Sequence, residues 1–258
     1  IMSYAPADYD FGDSSNYAFA ETITCANDEA RTMFVEAYGH MLNYNHEQAI
    51  ACFMKCTESD PNCAMAWWGI AYCLSSSYNW SAGLGPGYDA IQQAISVKDG
   101  CSELEQDLIM ALSTRHTKEA RDNANPAALN MGNSPELNQA FADAMAPLYE
   151  KYSGNLDVTA IYVEALMNLN PWTLWNKDAS TGEITPVDDS TLMLIKIMED
   201  AFESSDEAKV HPALCHLYCH ALELSPFPER ALPAADVLRT LMPGCGHLVH
   251  MPSHIDAW

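Results

Sequence analysis

Apolar residues recur every three to four positions along most of this chain, the spacing that places them on one face of an α-helix. Asp28 and Glu29 open the first clear segment with the acidic residues favoured in a first helical turn. Pro61 ends the second, because proline lacks the N–H group that a continuing helix needs. The pattern predicts helices at about 28–43, 46–59, 63–76, 88–97, 102–116, 135–152, 156–169, 188–204, 211–224, 228–241 and from 246 onward.

Polar and turn-forming residues fill the segments between these helices. Residues 1–27 predict an extended N-terminal arm. Irregular loops are predicted at 77–87, 117–134 and 170–187, which are rich in residues that interrupt helices. No stretch of the sequence shows the sustained two-residue alternation typical of strands. The predicted fold class is all-α, with residues 28–258 forming one helical repeat domain.

Small, aromatic and proline residues recur at the same offsets in two predicted helix pairs. They stand where the tetratricopeptide pattern has Ala, Phe, Ala and Pro. The two copies are Ala49, Phe53, Cys56 and Pro61, and Ala231, Ala235, Leu238 and Pro243. Ala37 and Cys219 take the small-residue position of the preceding helices, where close approach is required. The offsets predict a solenoid of antiparallel helix pairs, similar to tetratricopeptide repeats, with insertions between the repeats.

The net charge of the chain limits which partners we expect it to bind. The 258 residues include 35 acidic and 12 basic side chains, for a formal net charge of −23. Such a surface repels nucleic-acid phosphates and anionic membranes, so we expect neither as a partner. No apolar run approaches the roughly 18 residues that a membrane-spanning helix needs. The sequence predicts a soluble protein, and its acidic surface favours an extracellular or periplasmic location.

The cysteines do not form a fully paired disulfide framework, because there are nine of them. Cys52 with Cys56, and Cys215 with Cys219, lie four residues apart on predicted helices. We interpret both pairs as small buried residues, the usual place of free cysteine.

Six of the nine histidines lie in the last fifth of the chain and carry its strongest chemical pattern. On one predicted helix, positions 216, 220 and 223 share a face, and on the next, positions 247, 250 and 254 do so. The candidate metal ligands are His216, His220, Glu223, His247, His250 and His254. Because neutral imidazole is the commonest metal ligand, they predict a zinc or copper site, with His216, His220, His250 and His254 as the leading four.

Two other interpretations of these histidines stay open. They could form a hydrogen-bond network that fixes the packing of two repeats and binds nothing. They could also line a groove for a small polar ligand, since the first helix of each repeat is expected to face the concave surface. The further groove candidates on first helices are His40, Trp67, Trp68, Glu164 and Asn168.

The remaining aromatic and histidine residues have plainer interpretations. Trp172 and Trp175 are predicted to anchor their loop on the rim of the groove. His46 and His116 are predicted at solvated helix ends.

Four stretches resemble a family of bacterial tetratricopeptide-repeat proteins. They are residues 45–53, 60–71, 164–175 and 211–255, and the last includes the specific block Gly246-His-Leu-Val-His-Met-Pro-Ser-His-Ile. The resemblance covers about residues 28–258 and implies an all-helical repeat fold. Members of that family continue past this block with further repeats, so we expect a partial chain whose last repeat is incomplete.

Three functions follow as hypotheses. The first is a binding protein whose groove holds a metal ion or small ligand. The second is a protein-interaction or self-assembly scaffold with structural histidines. The third is a metal-dependent enzyme, in which Glu223 or Glu164 serves as acid or base. No nucleophile elbow, phosphate loop or dinucleotide-binding glycine pattern occurs in the sequence.

Overall fold

A computed structural model describes residues 9–79, 84–123 and 134–257. The chain is mostly α-helical, which confirms the predicted all-α class. The helices are α1 (Phe19–Thr22), α2 (Asp28–Leu42), α3 (His46–Ser59), α4 (Ala64–Cys73), α5 (Leu84–Val97), α6 (Glu103–Ser113), α7 (Lys118–Asp122), α8 (Pro135–Lys151), α9 (Leu156–Met167), α10 (Asp189–Ser204), α11 (Pro212–Leu222), α12 (Leu232–Leu241), α13 (Gly246–His250) and α14 (Pro252–Asp256). Short 3-10 helices lie at Ser14–Tyr17, Lys98–Gly100, Ala208–Val210 and Pro228–Ala231. Across the described residues, none of these helices has the length and apolar character needed to cross a membrane.

Side-chain caps explain several helix starts. The Asn27 side chain accepts a hydrogen bond from the Ala30 backbone N–H at the start of α2. Ser102 and Glu105 form a reciprocal capping box at the start of α6. Such caps satisfy backbone N–H groups that have no partner inside the helix, and each typically contributes about 1 kcal/mol.

The helices divide into two compact units. The first contains residues 18–152, and the second contains residues 9–17 with 153–258. The repeat domain expected over residues 28–258 remains a prediction. In the first unit, successive helices pack on one another from α2 to α5. Gly69 makes the contact between α3 and α4 close, because a Cβ atom there would lie 2.4 Å from the Phe53 ring.

The second unit surrounds α11, which packs against α9, α10, α12 and α14. Burial on several sides explains why α11 is apolar around most of its circumference, apart from its histidines. A two-stranded antiparallel hairpin, β1 (Trp175–Lys177) and β2 (Ile184–Pro186), lies between α9 and α10 in the chain. The irregular loop predicted at 170–187 therefore contains a hairpin that is too short to show a strand pattern.

Other local predictions differ from the structure. Between residues 9 and 27, two short helical segments replace the expected extended arm, and Phe19 and Ile23 are buried. Apolar side chains in this polar stretch explain its packing into the fold. His46 and His116, expected at solvated helix ends, are both buried.

Parts of three predicted segments lie outside the described residues. They are 1–8 of the arm, 80–83 of the loop at 77–87, and 124–133 of the loop at 117–134. Within the described parts, α5 begins earlier than predicted and α7 adds a short helix after residue 117.

Candidate metal centre

Helix α11 carries two histidines one turn apart in the interior of the second unit. His216 is fully buried, and His220 is 2% exposed. The helix starts at Pro212, a residue preset for the first helical turn. The Nδ1 atom of His211, the N-cap, accepts a hydrogen bond from the Leu214 N–H at 3.4 Å. His211 is thus a helix cap, whereas His216 and His220 are available to the site.

The other three histidines follow a helical segment that is interrupted near its middle. Helix α13 ends at His250, and α14 begins at Pro252. Proline cannot donate a backbone hydrogen bond, so a new helix start at this residue is the expected result. The interruption places His247 and His250 on α13 and His254 on α14. Helix α12 packs against both short helices and so fixes them beside α11.

His216, His220 and His247 bring three imidazoles together. One nitrogen atom from each ring lies within 4.8 Å of the other two. The Nε2 atoms of His216 and His247 are 3.0 Å apart. Two nitrogen ligands on a tetrahedral zinc ion, each about 2.0 Å from it, stand roughly 3.3 Å apart. The observed spacing is close to that of a metal-binding pair, and it also fits a hydrogen bond between neutral rings.

Glu223, the residue that caps the end of α11, links two of the histidines. Its Oε1 atom lies 2.7 Å from His220 Nδ1, and its Oε2 atom lies 2.5 Å from His254 Nδ1. A carboxylate only accepts hydrogen bonds, so each Nδ1 donates and each Nε2 keeps a free electron pair in the neutral ring. Such carboxylate partners fix the tautomer and orientation of metal-binding histidines. His220, Glu223 and His254 also form a second trio whose ligand atoms lie within 4.8 Å of one another.

The protonation states of His216 and Glu223 favour the binding of a cation. Burial lowers the pKa of His216 well below its ordinary value, and the neighbouring histidines lower it further, so this ring stays neutral. Burial alone would raise the pKa of Glu223, but hydrogen bonds from His220 and His254 outweigh it and lower the pKa. The centre therefore offers neutral imidazole beside a charged carboxylate, the forms in which both groups bind metals.

His250 does not lie among the converging ligand atoms, where the sequence pattern predicted it. The sequence pattern made it one of four leading ligands, yet in the structure it is exposed and belongs to neither trio. Its ring centre lies 5.1 Å from that of His247 and 4.9 Å from that of His254. His247, rather than His250, faces His216 from α13, and the Nε2 atoms of His247 and His216 are 3.0 Å apart. Burial lowers the pKa of His250 and His254 lowers it further, so His250 is neutral near pH 7.

The predicted groove residues are divided between the two units, with Trp67 and Trp68 in the first and Glu164 and Asn168 in the second. Trp68 is 1% exposed and its indole N–H donates to the Leu108 carbonyl, so it is a core residue of the first unit. The half-buried Trp67 donates to the Pro61 carbonyl at 3.0 Å, also in the first unit. The assignment of Trp67 and Trp68 to a ligand groove remains a prediction.

Glu164 and Asn168 lie at the end of α9 in the second unit, and both are buried. Helix α9 packs directly against α11, which carries His216 and His220. Their assignment as lining residues remains a prediction.

Trp172 borders the centre. Its ring meets the edge of the His220 ring, with centroids 5.6 Å apart. The backbone φ of Trp172 is 62°, a left-handed conformation that costs a bulky residue energy and is often found beside functional sites. Trp175 donates its indole N–H to the Ala221 carbonyl of α11 at 2.7 Å. Both tryptophans thus contact α11, although Trp172 is 52% exposed, and their place on the rim of a groove remains a prediction.

Comparisons of the chain with protein-family models, with curated proteins and with solved structures found no match. The geometry of the site is therefore the basis for inferring its function.

Proposed function

We propose that this protein is a metal-binding protein whose second unit holds a zinc or copper ion between α11 and α13. His216, His220 and His247 are the ligands, and the single observation that carries this assignment is the convergence of their three nitrogen atoms within 4.8 Å. Three protein ligands leave a fourth tetrahedral position for water or a small polar ligand. Glu223 orients His220, and His254 holds the other oxygen of Glu223.

We further propose that the helices form tetratricopeptide-like repeats. The Ala, Phe and second small-residue positions of the repeat pattern pack in the interior, whereas the closing prolines, Pro61 and Pro243, are exposed. Those with no exposure are Ala49, Phe53, Cys56, Ala231, Ala235 and Leu238. The small residues of the preceding helices, Ala37 and Cys219, are equally buried. Binding centres on the inner helices of such repeats are in keeping with their use as binding scaffolds.

A structural hydrogen-bond network is the rival proposal, and one observation favours it. The 3.0 Å distance between His216 Nε2 and His247 Nε2 suits an N–H···N bond without any metal. Catalysis has less support, because both oxygens of Glu223 already accept hydrogen bonds from imidazoles. Glu223 thus serves better as an orienting group than as an acid or base.

The test compares His247→Ala with its matched control His250→Ala, two histidines three residues apart on α13. Each full-length variant is dialysed against zinc or copper, and bound metal is measured by elemental analysis. The proposal predicts that His247→Ala loses one equivalent and that His250→Ala keeps it. Equal retention by both variants would favour the hydrogen-bond network and overturn the metal assignment.

A further inference from the structure

A second group of ligand atoms lies in the first unit, where Glu36, His40 and Cys52 converge. Glu36 and His40 are one turn apart on α2, and Cys52 faces them from α3. One atom from each residue, including the Cys52 sulfur, lies within 4.8 Å of the other two. Helices α2 and α3 pack closely on each other, so the positions of all three residues are fixed by the fold.

One distance within this trio is close to that found in a coordination sphere. The Cys52 Sγ atom lies 3.8 Å from Glu36 Oε1. Sulfur and oxygen ligands of a tetrahedral zinc ion, about 2.3 Å and about 2.1 Å from it, stand roughly 3.6 Å apart. The separation of these two atoms therefore needs to change little for both to bind one ion.

The burial of these three residues fits a metal ion that the protein encloses on all sides but one. His40 and Cys52 are fully buried, whereas Glu36 is half-buried and connects the trio to solvent. The Cys52 thiol donates a hydrogen bond to the Glu36 carboxylate, and the Gln48 side-chain NH2 group donates one to the Cys52 sulfur. A divalent cation that replaced the thiol proton would be balanced by the charges of the thiolate and the carboxylate.

A nucleophilic cysteine is the competing interpretation of a Cys, His and Glu group. A reactive thiol needs an exposed position and a lowered pKa. Cys52 has neither, because burial and the nearby Glu36 carboxylate together raise its pKa to about 12. The full burial of the sulfur also keeps a substrate away from it.

We propose that Glu36, His40 and Cys52 form a second metal site, which takes zinc or a similar divalent cation. The Cys52 thiol releases its proton to solvent as the metal–sulfur bond forms. This site differs from the histidine centre in having a thiolate ligand, and it stands whether or not that centre binds metal.

Cobalt(II) is the probe, because a thiolate bound to cobalt gives a near-ultraviolet charge-transfer band that imidazole and carboxylate ligands do not give. Reduced full-length protein is titrated with cobalt(II), and zinc is then added to displace it. We expect the band in the unaltered chain, its loss in Cys52→Ala, and its retention in Cys56→Ala. Cys56 is the matched control, a buried cysteine one turn away on the same helix.

Each outcome decides the proposal. Absence of the band, or its retention in Cys52→Ala, would overturn the site. Loss in Cys56→Ala alone would assign the thiolate to Cys56, which lies beside Cys63, and would also overturn it. Circular dichroism establishes that both variants are folded. Should Cys52→Ala fail to fold, Glu36→Gln replaces it. We expect the charge-transfer band of Glu36→Gln to need a higher cobalt concentration to appear, and an unchanged titration of the band would contradict the proposal.

Discussion

Two buried histidines, one in each unit, have contrasting surroundings. His116 in the first unit directs Nε2 to the Ser75 hydroxyl at 2.8 Å and the Ala71 carbonyl at 3.1 Å. His216 in the second unit directs Nε2 to another imidazole nitrogen, that of His247. The first ring is enclosed so closely that a Cβ atom on Gly87 would lie 2.2 Å from it. The second faces a group of further histidines.

The difference shows that burial alone does not mark a metal ligand. Because a carbonyl oxygen only accepts hydrogen bonds, His116 donates through Nε2, and this nitrogen has no electron pair left for a metal. His216 meets a partner that is itself a potential ligand. The neighbours of a buried imidazole therefore decide between a structural and a binding role.

The largest expected effect is the stabilisation of the folded protein by zinc, which should depend on His216 and not on His116. Zinc at about 100 times its dissociation constant should raise the free energy of unfolding by about 2.7 kcal/mol when it binds only the folded protein. We expect His116→Ala to keep this increment and His216→Ala to lose it. Chemical denaturation with and without zinc measures both.

The comparison is made in a Cys52→Ala background, which removes the second proposed site. Both histidine variants lose stability without metal, so only the change on adding zinc is compared. His247→Ala, at a half-buried position, repeats the test should His216→Ala fail to fold. If zinc raised the free energy of unfolding equally in His116→Ala and His216→Ala, the two histidines would not differ in their role in metal binding.

The role of Glu223 predicts a smaller effect. Glu223→Gln keeps the size of the side chain but loses the charged acceptor that orients His220 and His254. Loss of such an orienting partner typically lowers metal affinity about 10–100-fold. Calorimetric titration with zinc measures the change, and Glu164→Gln on α9 is the control. An unchanged affinity in Glu223→Gln would show that the carboxylate does not support the ligands.

A third buried histidine, His46, should make the stability of the folded protein depend on pH. Burial lowers its pKa from 6.5 to about 4 in the folded protein. Between these values the unfolded chain binds a proton that the folded chain does not, so stability falls as the pH is lowered. One such group contributes a slope of up to about 1.4 kcal/mol per pH unit. Denaturation of the metal-free protein from pH 7 to pH 4 should show a shallower slope in His46→Gln, and parallel slopes would contradict this assignment.

The smallest effect concerns Trp172 beside His220. An edge-to-face aromatic pair contributes about 0.5–1.5 kcal/mol, which both Trp172→Ala and Trp172→Gly lose. Glycine adopts the backbone φ of 62° without the steric cost that a Cβ atom imposes on alanine. We therefore expect Trp172→Gly to be the more stable variant by chemical denaturation. The reverse order would show that the loop does not hold this conformation.

Much of the fold could be predicted from the sequence because helices follow local rules. The predicted helix at 46–59 agrees with α3 at both ends, where Pro61 follows closely. The hairpin at 175–186 could not be predicted, since strands of three residues are too short to show alternation. The burial of His116 also escaped prediction, because it depends on Ser75 and Ala71 from a distant helix.

For the candidate site, the sequence pattern predicted the residues better than their arrangement. Helical spacing correctly placed His216 and His220 on one face of α11. Which histidine of α13 meets them depends on how this short helix packs beside α11, and spacing alone placed His250 among the leading four ligands ahead of His247. The trio of Glu36, His40 and Cys52 was not recognised, because Cys52 comes from another helix and its pairing with α2 is a tertiary contact.

Nitrogen-15 NMR of the imidazole rings during a zinc titration tests the central claim most directly. The account predicts that the Nε2 resonances of His216, His220 and His247 shift together and saturate at one equivalent for this site. The resonances of His116 and His250 should stay in place. Shifts confined to the exposed His250, or no saturable shift in the three predicted rings, would contradict a metal centre between α11 and α13.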